Sequence, residues 1–343
     1  MDKRVVLAVA GSGKTSHIIN KINESSRVLI VTYTENNYKN IKSKIINKIG
    51  FIPKGVRVQT YFNFIYSFCF KPLLGNKIKS KGINWDLPPA FTLKLNRGDP
   101  RFYLDRNSRL YHNRIAKLLE QWNAMKEVSE RVEKYFDMVC FDEVQDFGGH
   151  DFNFICNLSP NIESLLLVGD FFQHTFDTSR DGNINSNIHK NLDTYTKKLT
   201  QAGYTLDSEM LSHSYRCSPT TCDFVSENTG IQIQSHRDDE TQIQFIQSAK
   251  LAEEIYYDIN IVKLFFRDSK RYDGYTENWG ATKGLDCYSD VCIVLNPTTL
   301  QHYKKNKLNE LAPQTKNKFY VACTRAKRNI FFVPESLYKH HKQ

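Results

Sequence analysis

Short apolar, β-branched runs alternate with stretches of helical period along most of the chain, and this alternation predicts a parallel sheet before any motif is read. Strands are expected at 5–9, 27–34, 56–60, 138–142 and 165–168, with helices at 16–24 and, rich in lysine, at 37–49. An aromatic segment, 61–70, follows the third strand. From 71 to about 133 the strand rhythm fails, and the Pro88-Pro89 pair, scattered arginines and a helical pattern at 109–125 predict an inserted, mostly helical subdomain. A second alternating block begins near Asp207. It predicts helices at 219–227, 251–266, 299–311 and 313–326, and strands at 242–247, 290–295 and 329–333. The polar stretch 181–187 starts the connection between the blocks. The pattern therefore predicts an α/β protein of two domains, 1–205 and 206–343, with the insertion in the first.

Composition narrows the class. The 343 residues suit about two domains of ~100–200 residues each. Lys and Arg number 47 against 37 acidic residues, a formal charge of +10, so a polyanion is the economical partner. No apolar run approaches the ~20 residues of a membrane span, and the first apolar run leads into a glycine-rich loop rather than a cleavage site. A soluble, cytoplasmic protein is expected. The eight cysteines form no compact framework, and several lie in apolar runs, so reduced packing thiols are expected. Cys217 with Cys222 and Cys287 with Cys292 share a spacing of four intervening residues, but zinc sites commonly recruit histidine, and packing cysteines are the better reading.

The first chemical signature is Ala8-Val9-Ala10-Gly11-Ser12-Gly13-Lys14-Thr15, between an apolar strand and a helix. Glycines let backbone N–H groups curl toward a phosphate, the lysine reaches the outer phosphates and the threonine hydroxyl can ligate Mg²⁺. The second is Phe141-Asp142-Glu143-Val144-Gln145-Asp146 at a strand end. A phosphate-loop enzyme needs an acidic group on an adjacent strand for Mg²⁺ and a neighbouring carboxylate to orient water. Asp142 and Glu143 suit those two tasks.

Together these motifs make the chain resemble UvrD/Rep-type helicases of superfamily one. Thr32-Tyr33-Thr34-Glu35-Asn36, Thr60-Tyr61-Phe62-Asn63-Phe64 and Gly169-Asp170-Phe171-Phe172-Gln173 resemble further segments of that family's first core domain. Ser214-Tyr215-Arg216-Cys217, Thr282-Lys283-Gly284-Leu285-Asp286 and 321–327 resemble signatures of its second. The resemblance implies two RecA-like parallel-sheet domains with the nucleotide site in the cleft between them. It also implies ATP and Mg²⁺ as cofactors. Ala10 to Thr15 would cradle phosphates, Thr15 and Asp142 would hold Mg²⁺, and Glu143 would activate water. Gln173, Arg216 and Arg325 would contact the γ-phosphate, Tyr215 would stack on the base, and Gly284 and Asp286 would meet the ribose side.

Nucleic-acid contacts carried over from the resemblance are Thr32, Thr60, Phe62, Phe64 and Phe176. The aromatic density of 61–70 is equally that of a helix core, and Lys39, Lys42, Lys44 and Lys48 suit a solvated helix face. The glutamine segment with which relatives read adenine has no counterpart before Ala8, and Arg216 and Lys283 stand too close for the relatives' large second-domain insertion. A pared-down ATP-dependent translocase or helicase on single-stranded nucleic acid is expected, 3′ to 5′ and on DNA by resemblance. Two alternatives stay open: an RNA-directed motor, and an NTPase switch that nucleic acid triggers and that gates or recruits a protein partner without unwinding.

Overall fold

The apolar runs become a six-stranded sheet in the computed structural model, which describes residues 2–175 and 181–343. Its strands are β1 (Asp2–Leu7), β2 (Val28–Thr32), β3 (Val56–Thr60), β6 (Met138–Asp142), β7 (Ser164–Gly169) and β8 (Thr205–Asp207); β4 (Gly82–Asn84) and β5 (Arg109–Tyr111) pair separately in the insertion. The order is β3-β2-β6-β7-β1-β8, and the pairs β2–β3, β2–β6, β6–β7 and β1–β8 run parallel. Every residue of β2 is buried, as expected of an inner strand covered on both faces. The chain divides into two units. The first comprises Met1–Val6, Thr15–Gly169 and Asp177–Asp207, and the second Leu7–Lys14, Asp170–Phe176 and Ser208–Gln343. The phosphate loop thus packs with the second block, which departs from a division at 205.

The insertion is less helical than its sequence suggests. Arg109–Tyr111 is a strand, the longer helices are Ile115–Gln121 and Met125–Tyr135, and the rest of the helical structure is short turns at Lys71–Leu74, Ala90–Lys94, Pro100–Tyr103 and His112–Arg114. A buried charge knot organises it. Arg114 donates to Asp181 at 3.0 and 3.1 Å, Lys117 donates to the same carboxylate at 2.6 Å, and the Arg114 guanidinium lies 3.9 Å from the Phe102 ring centre. The aromatic segment continues from a helical turn at Tyr61–Asn63 into a π-helix at Phe64–Phe70.

In the second unit, β9 (His213–Ser214) pairs with β10 (Gln234–Ser235). A five-stranded parallel sheet follows, β11 (Ile243–Phe245), β12 (Val262–Phe265), β13 (Thr276–Asn278), β14 (Val291–Leu295) and β15 (Ile330–Pro334), in the order β11-β15-β14-β12-β13. The helix expected over 251–266 is overturned. It runs only over Ala249–Tyr257, because a turn at Asp258 redirects the chain and the fully buried Val-Lys-Leu-Phe run pairs as β12. All eight cysteines are free. Among the described residues no helix is long and apolar enough to cross a membrane.

Candidate nucleotide and nucleic-acid site

Gly11 and Gly13 hold left-handed φ angles of 73° and 84°, which let the chain turn from β1 into the helix Lys14–Asn20. A side chain at Gly11 would stand 2.7 Å from both the Arg216 Cβ and the Ser214 Oγ, so only glycine lets the loop lie against Ser214-Tyr215-Arg216. There the Tyr215 N–H donates to the Gly11 carbonyl at 3.0 Å. Lys14 is 9% exposed and makes no ion pair among the described residues, the condition of a lysine kept for a phosphate. Ser12 is buried, and its hydroxyl donates to the Val9 carbonyl at 2.9 Å, which stiffens the loop. The helix after the loop is tied at its far end by Lys48, which donates to the carbonyls of Ile19, Asn20 and Ile22 at 2.9, 3.1 and 3.1 Å. Lys48, exposed on its own helix, thus also caps the helix after the loop.

The loop's backbone is held by a buried relay within the second unit. The Ala10 N–H donates to the Tyr320 hydroxyl at 2.9 Å, Tyr320 donates to Asp170 Oδ2 at 2.9 Å, and Gln173 Nε2 donates to the same oxygen at 2.9 Å. Tyr320 lies on the helix Pro313–Cys323, just before Arg325. Burial, with the Asp170 carboxylate beside it, pushes the Tyr320 phenol far above its ordinary pKa, so it stays a donor. Asp170 and Tyr320 were not assigned roles from sequence. Asp170 lies inside one motif and Tyr320 immediately precedes another, but such placement does not reveal a hydrogen bond across 150 residues.

Arg325 is 1% exposed. Its Nε donates to Val321 O at 3.2 Å and its Nη1 to Leu285 O at 2.8 Å, while Nη2 is buried with no hydrogen-bond partner. Burial, reinforced by Arg216, lowers its pKa to about 10, so it remains charged at neutral pH. A charged guanidinium caged by carbonyls with one nitrogen unspent fits an anionic ligand. Arg216, by contrast, is paired: its Nε donates to Asp286 Oδ1 at 2.7 Å and its Nη1 to Thr324 O at 3.3 Å. Burial raises the Asp286 pKa, and the hydrogen bond from Arg216 together with the charges of Arg216, Lys327 and Arg325 outweighs it, for a net fall. The two residues expected at the γ-phosphate and the ribose thus hold each other. Gly284, with φ of 82°, shapes the turn between Lys283 and Asp286. The Tyr215 ring is 64% exposed, stacks on His236 at 4.1 Å and passes beside Gly13, an arrangement open to a base.

In the first unit β6 ends at Asp142, which is 1% exposed and accepts the Glu143 N–H at 3.1 Å. Glu143 takes a left-handed conformation, φ 56° and ψ 45°, and its carboxylate accepts from Gln145 Nε2. A side chain at Gly169 would stand 2.4 Å from Gln145 Oε1, so the glycine ending β7 leaves room for the residue that holds Glu143. Two hard carboxylates, one strained, suit a Mg²⁺ ligand and a water-orienting base.

The nucleic-acid candidates divide. Thr60 caps the turn at Tyr61–Asn63. Phe62 is 9% exposed and touches Tyr33 and Trp85. Thr32 is fully buried, and Phe64 is fully buried among Phe68, Phe141 and Phe154. Phe64 therefore belongs to the core, and no face of it is free for a base. Phe176 lies outside the described residues.

A parallel α/β sheet that carries a phosphate loop and an acidic strand end is the architecture of the phosphate-loop fold class. The chain belongs to the viral superfamily 1 RNA helicase core domain family, whose model matches residues 104–333. The fold is similar to that of an arterivirus nonstructural protein 10 (helicase) in complex with DNA, with a TM-score of 0.53 at 12% identity over 98% of this chain and 62% of that one. It is also similar to the PRRSV helicase, with a TM-score of 0.50 at 14% identity over 97% of this chain and 52% of that one. The chain thus spans less than two thirds of either helicase. No curated protein sequence matches it.

Proposed function

We propose that the protein is an ATP-dependent motor that moves along single-stranded nucleic acid. Lys14 neutralises the outer phosphates in the cradle formed by Ala10 to Thr15, Thr15 and Asp142 hold Mg²⁺, and Glu143 activates water. Gln173 and Arg325 meet the γ-phosphate, and Arg216 joins them when it leaves Asp286 for the nucleotide. Tyr215 stacks on the base, with Gly284 and Asp286 on the ribose side. The residues 1–205 and 206–343 act as the two RecA-like halves of the motor. The observation that carries this reading is the buried relay from Ala10 through Tyr320 and Asp170 to Gln173, which joins the phosphate loop to the helix that precedes Arg325. Such a connection couples the presence of a γ-phosphate to the residues around it.

By its UvrD/Rep-like motifs the motor moves 3′ to 5′ on DNA. A second reading, an RNA track, is favoured by the RNA helicase family to which the chain belongs. Steady-state ATP hydrolysis with no polymer, single-stranded DNA, single-stranded RNA and duplex, with Glu143→Gln as the blank, tests both. Stimulation by one single strand identifies the track, and displacement of oligonucleotides from opposite tails then reads direction. Hydrolysis indifferent to every polymer would overturn the motor and favour a switch that answers to a protein partner.

A further inference from the structure

The insertion presents an aromatic side chain that no motif accounts for. Trp85 is 60% exposed, yet it is positioned. Its ring meets Phe62 edge-on at 4.9 Å and lies nearly parallel to His112 at 5.8 Å. The backbone beneath it is pinned by the β4–β5 pairing of Asn84 with Tyr111, by the Asn84 side chain donating to Asp105 at 2.9 Å, and by the Asp86 N–H donating to Asn84 Oδ1 at 2.9 Å. Phe62 in turn contacts Tyr33 at 5.5 Å. A run of rings therefore leads from the carboxyl ends of β2 and β3, where Tyr33 and Phe62 stand, out to one exposed indole.

The segment that carries that indole is one-sided in charge. Residues 71–114 hold ten Lys and Arg against three Asp and no Glu, a surplus of seven in a chain whose total is +10. Asp99 and Asp105 are taken by Arg101 and Arg109. Lys79, Lys81, Lys94, Arg97 and Arg106 are exposed and form no ion pair among the described residues. An exposed, pre-positioned aromatic on a segment rich in exposed, unpaired cations is the chemistry of a single-strand site, where bases stack on rings and phosphates meet lysines and arginines.

We propose that Trp85 is a base-stacking platform for single-stranded nucleic acid, supplied by the insertion and continuous with Phe62. The platform rests on the reading of the protein as a single-strand motor. Leu87, Phe91 and Leu93 of the same segment are also exposed, but a purely apolar protein-docking patch does not explain the cationic surplus.

The test is binding of the full chain to fluorescent oligothymidylate and oligouridylate, by anisotropy over a salt series, for wild type, Trp85→Ala, Trp85→Phe and Lys79→Ala/Lys81→Ala. Trp85→Ala is expected to weaken binding about 5- to 100-fold with an unchanged salt slope, and Trp85→Phe to keep most of the affinity. The lysine variant is expected to flatten the slope. Quenching of intrinsic fluorescence on binding is expected to disappear in Trp85→Phe, because Trp279 is fully buried and Trp122 lies elsewhere on the insertion. If wild type binds neither oligonucleotide, the motor reading and the platform fall together. If wild type binds and Trp85→Ala and Trp85→Phe bind equally well with quenching intact, the platform alone is overturned and the patch is one for protein.

Discussion

The Tyr320 hydroxyl donates a 2.9 Å hydrogen bond to Asp170, joining a helix of the second sheet's layer to the segment that carries Gln173. The same oxygen accepts the Ala10 N–H, so one side chain sets both the phosphate loop and the glutamine. Tyr320→Phe keeps the ring and removes both bonds. A hydrogen bond to a charged group is worth about 1.5–3 kcal/mol, so kcat for ATP hydrolysis should fall about 10- to 100-fold. The variant should melt cooperatively, and kcat and KM measured separately check the expectation. An unchanged kcat would reduce the relay to packing.

Lys14→Ala and Glu143→Gln should separate binding from chemistry. The lysine variant loses nucleotide affinity, whereas the glutamine variant binds ATP and does not turn it over. Equilibrium binding of a fluorescent ATP analogue beside single-turnover hydrolysis distinguishes them. Wild-type turnover in either variant would remove the assigned site.

Arg325 has three donors engaged by backbone and one buried nitrogen without a partner. Arginine contacts to a transferring phosphoryl group are worth about 10³-fold or more in rate. Arg325→Ala should therefore lose about that factor in kcat. Arg325→Lys should recover little, since an ammonium cannot occupy the carbonyl cage and the phosphate together.

Asp181 answers to acid. Burial raises its pKa, and the hydrogen bonds from Lys117 and Arg114 outweigh this, so the folded value lies below the ordinary 3.8. A depressed carboxylate stabilises the fold above its unfolded pKa, and that contribution disappears as pH falls through the folded value. Asp181→Asn should cost about 3–5 kcal/mol at neutral pH by leaving Arg114 buried and unpaired. Urea melts at pH 7 and pH 3 read this directly: the gap between wild type and variant should narrow at the lower pH.

What could be read in the sequence was local. The phosphate loop and the acidic strand end are contiguous, so their chemistry needs no partner from elsewhere, and the inner strands are apolar on both faces. The failures were matters of context. Val262 to Phe265 follows the helix after only Asp258 to Ile261, and apolar residues continue on both sides of that short polar break, so periodicity does not tell where helix yields to strand there. Phe62 and Phe64 are two residues apart in one motif, yet the helical turn sends one to the surface edge and the other into the core. The pairing of Arg216 with Asp286 and the relay through Tyr320 join residues distant in sequence, and no spacing rule encodes them.

The left-handed backbone of Glu143 sets durability against turnover at one position. Glycine or asparagine there would relax the peptide, and either would remove the carboxylate. Laboratory evolution of this chain for heat tolerance alone should therefore drift toward hardy, idle variants at 143, and a selection that keeps the enzyme working must score phosphate release in every round.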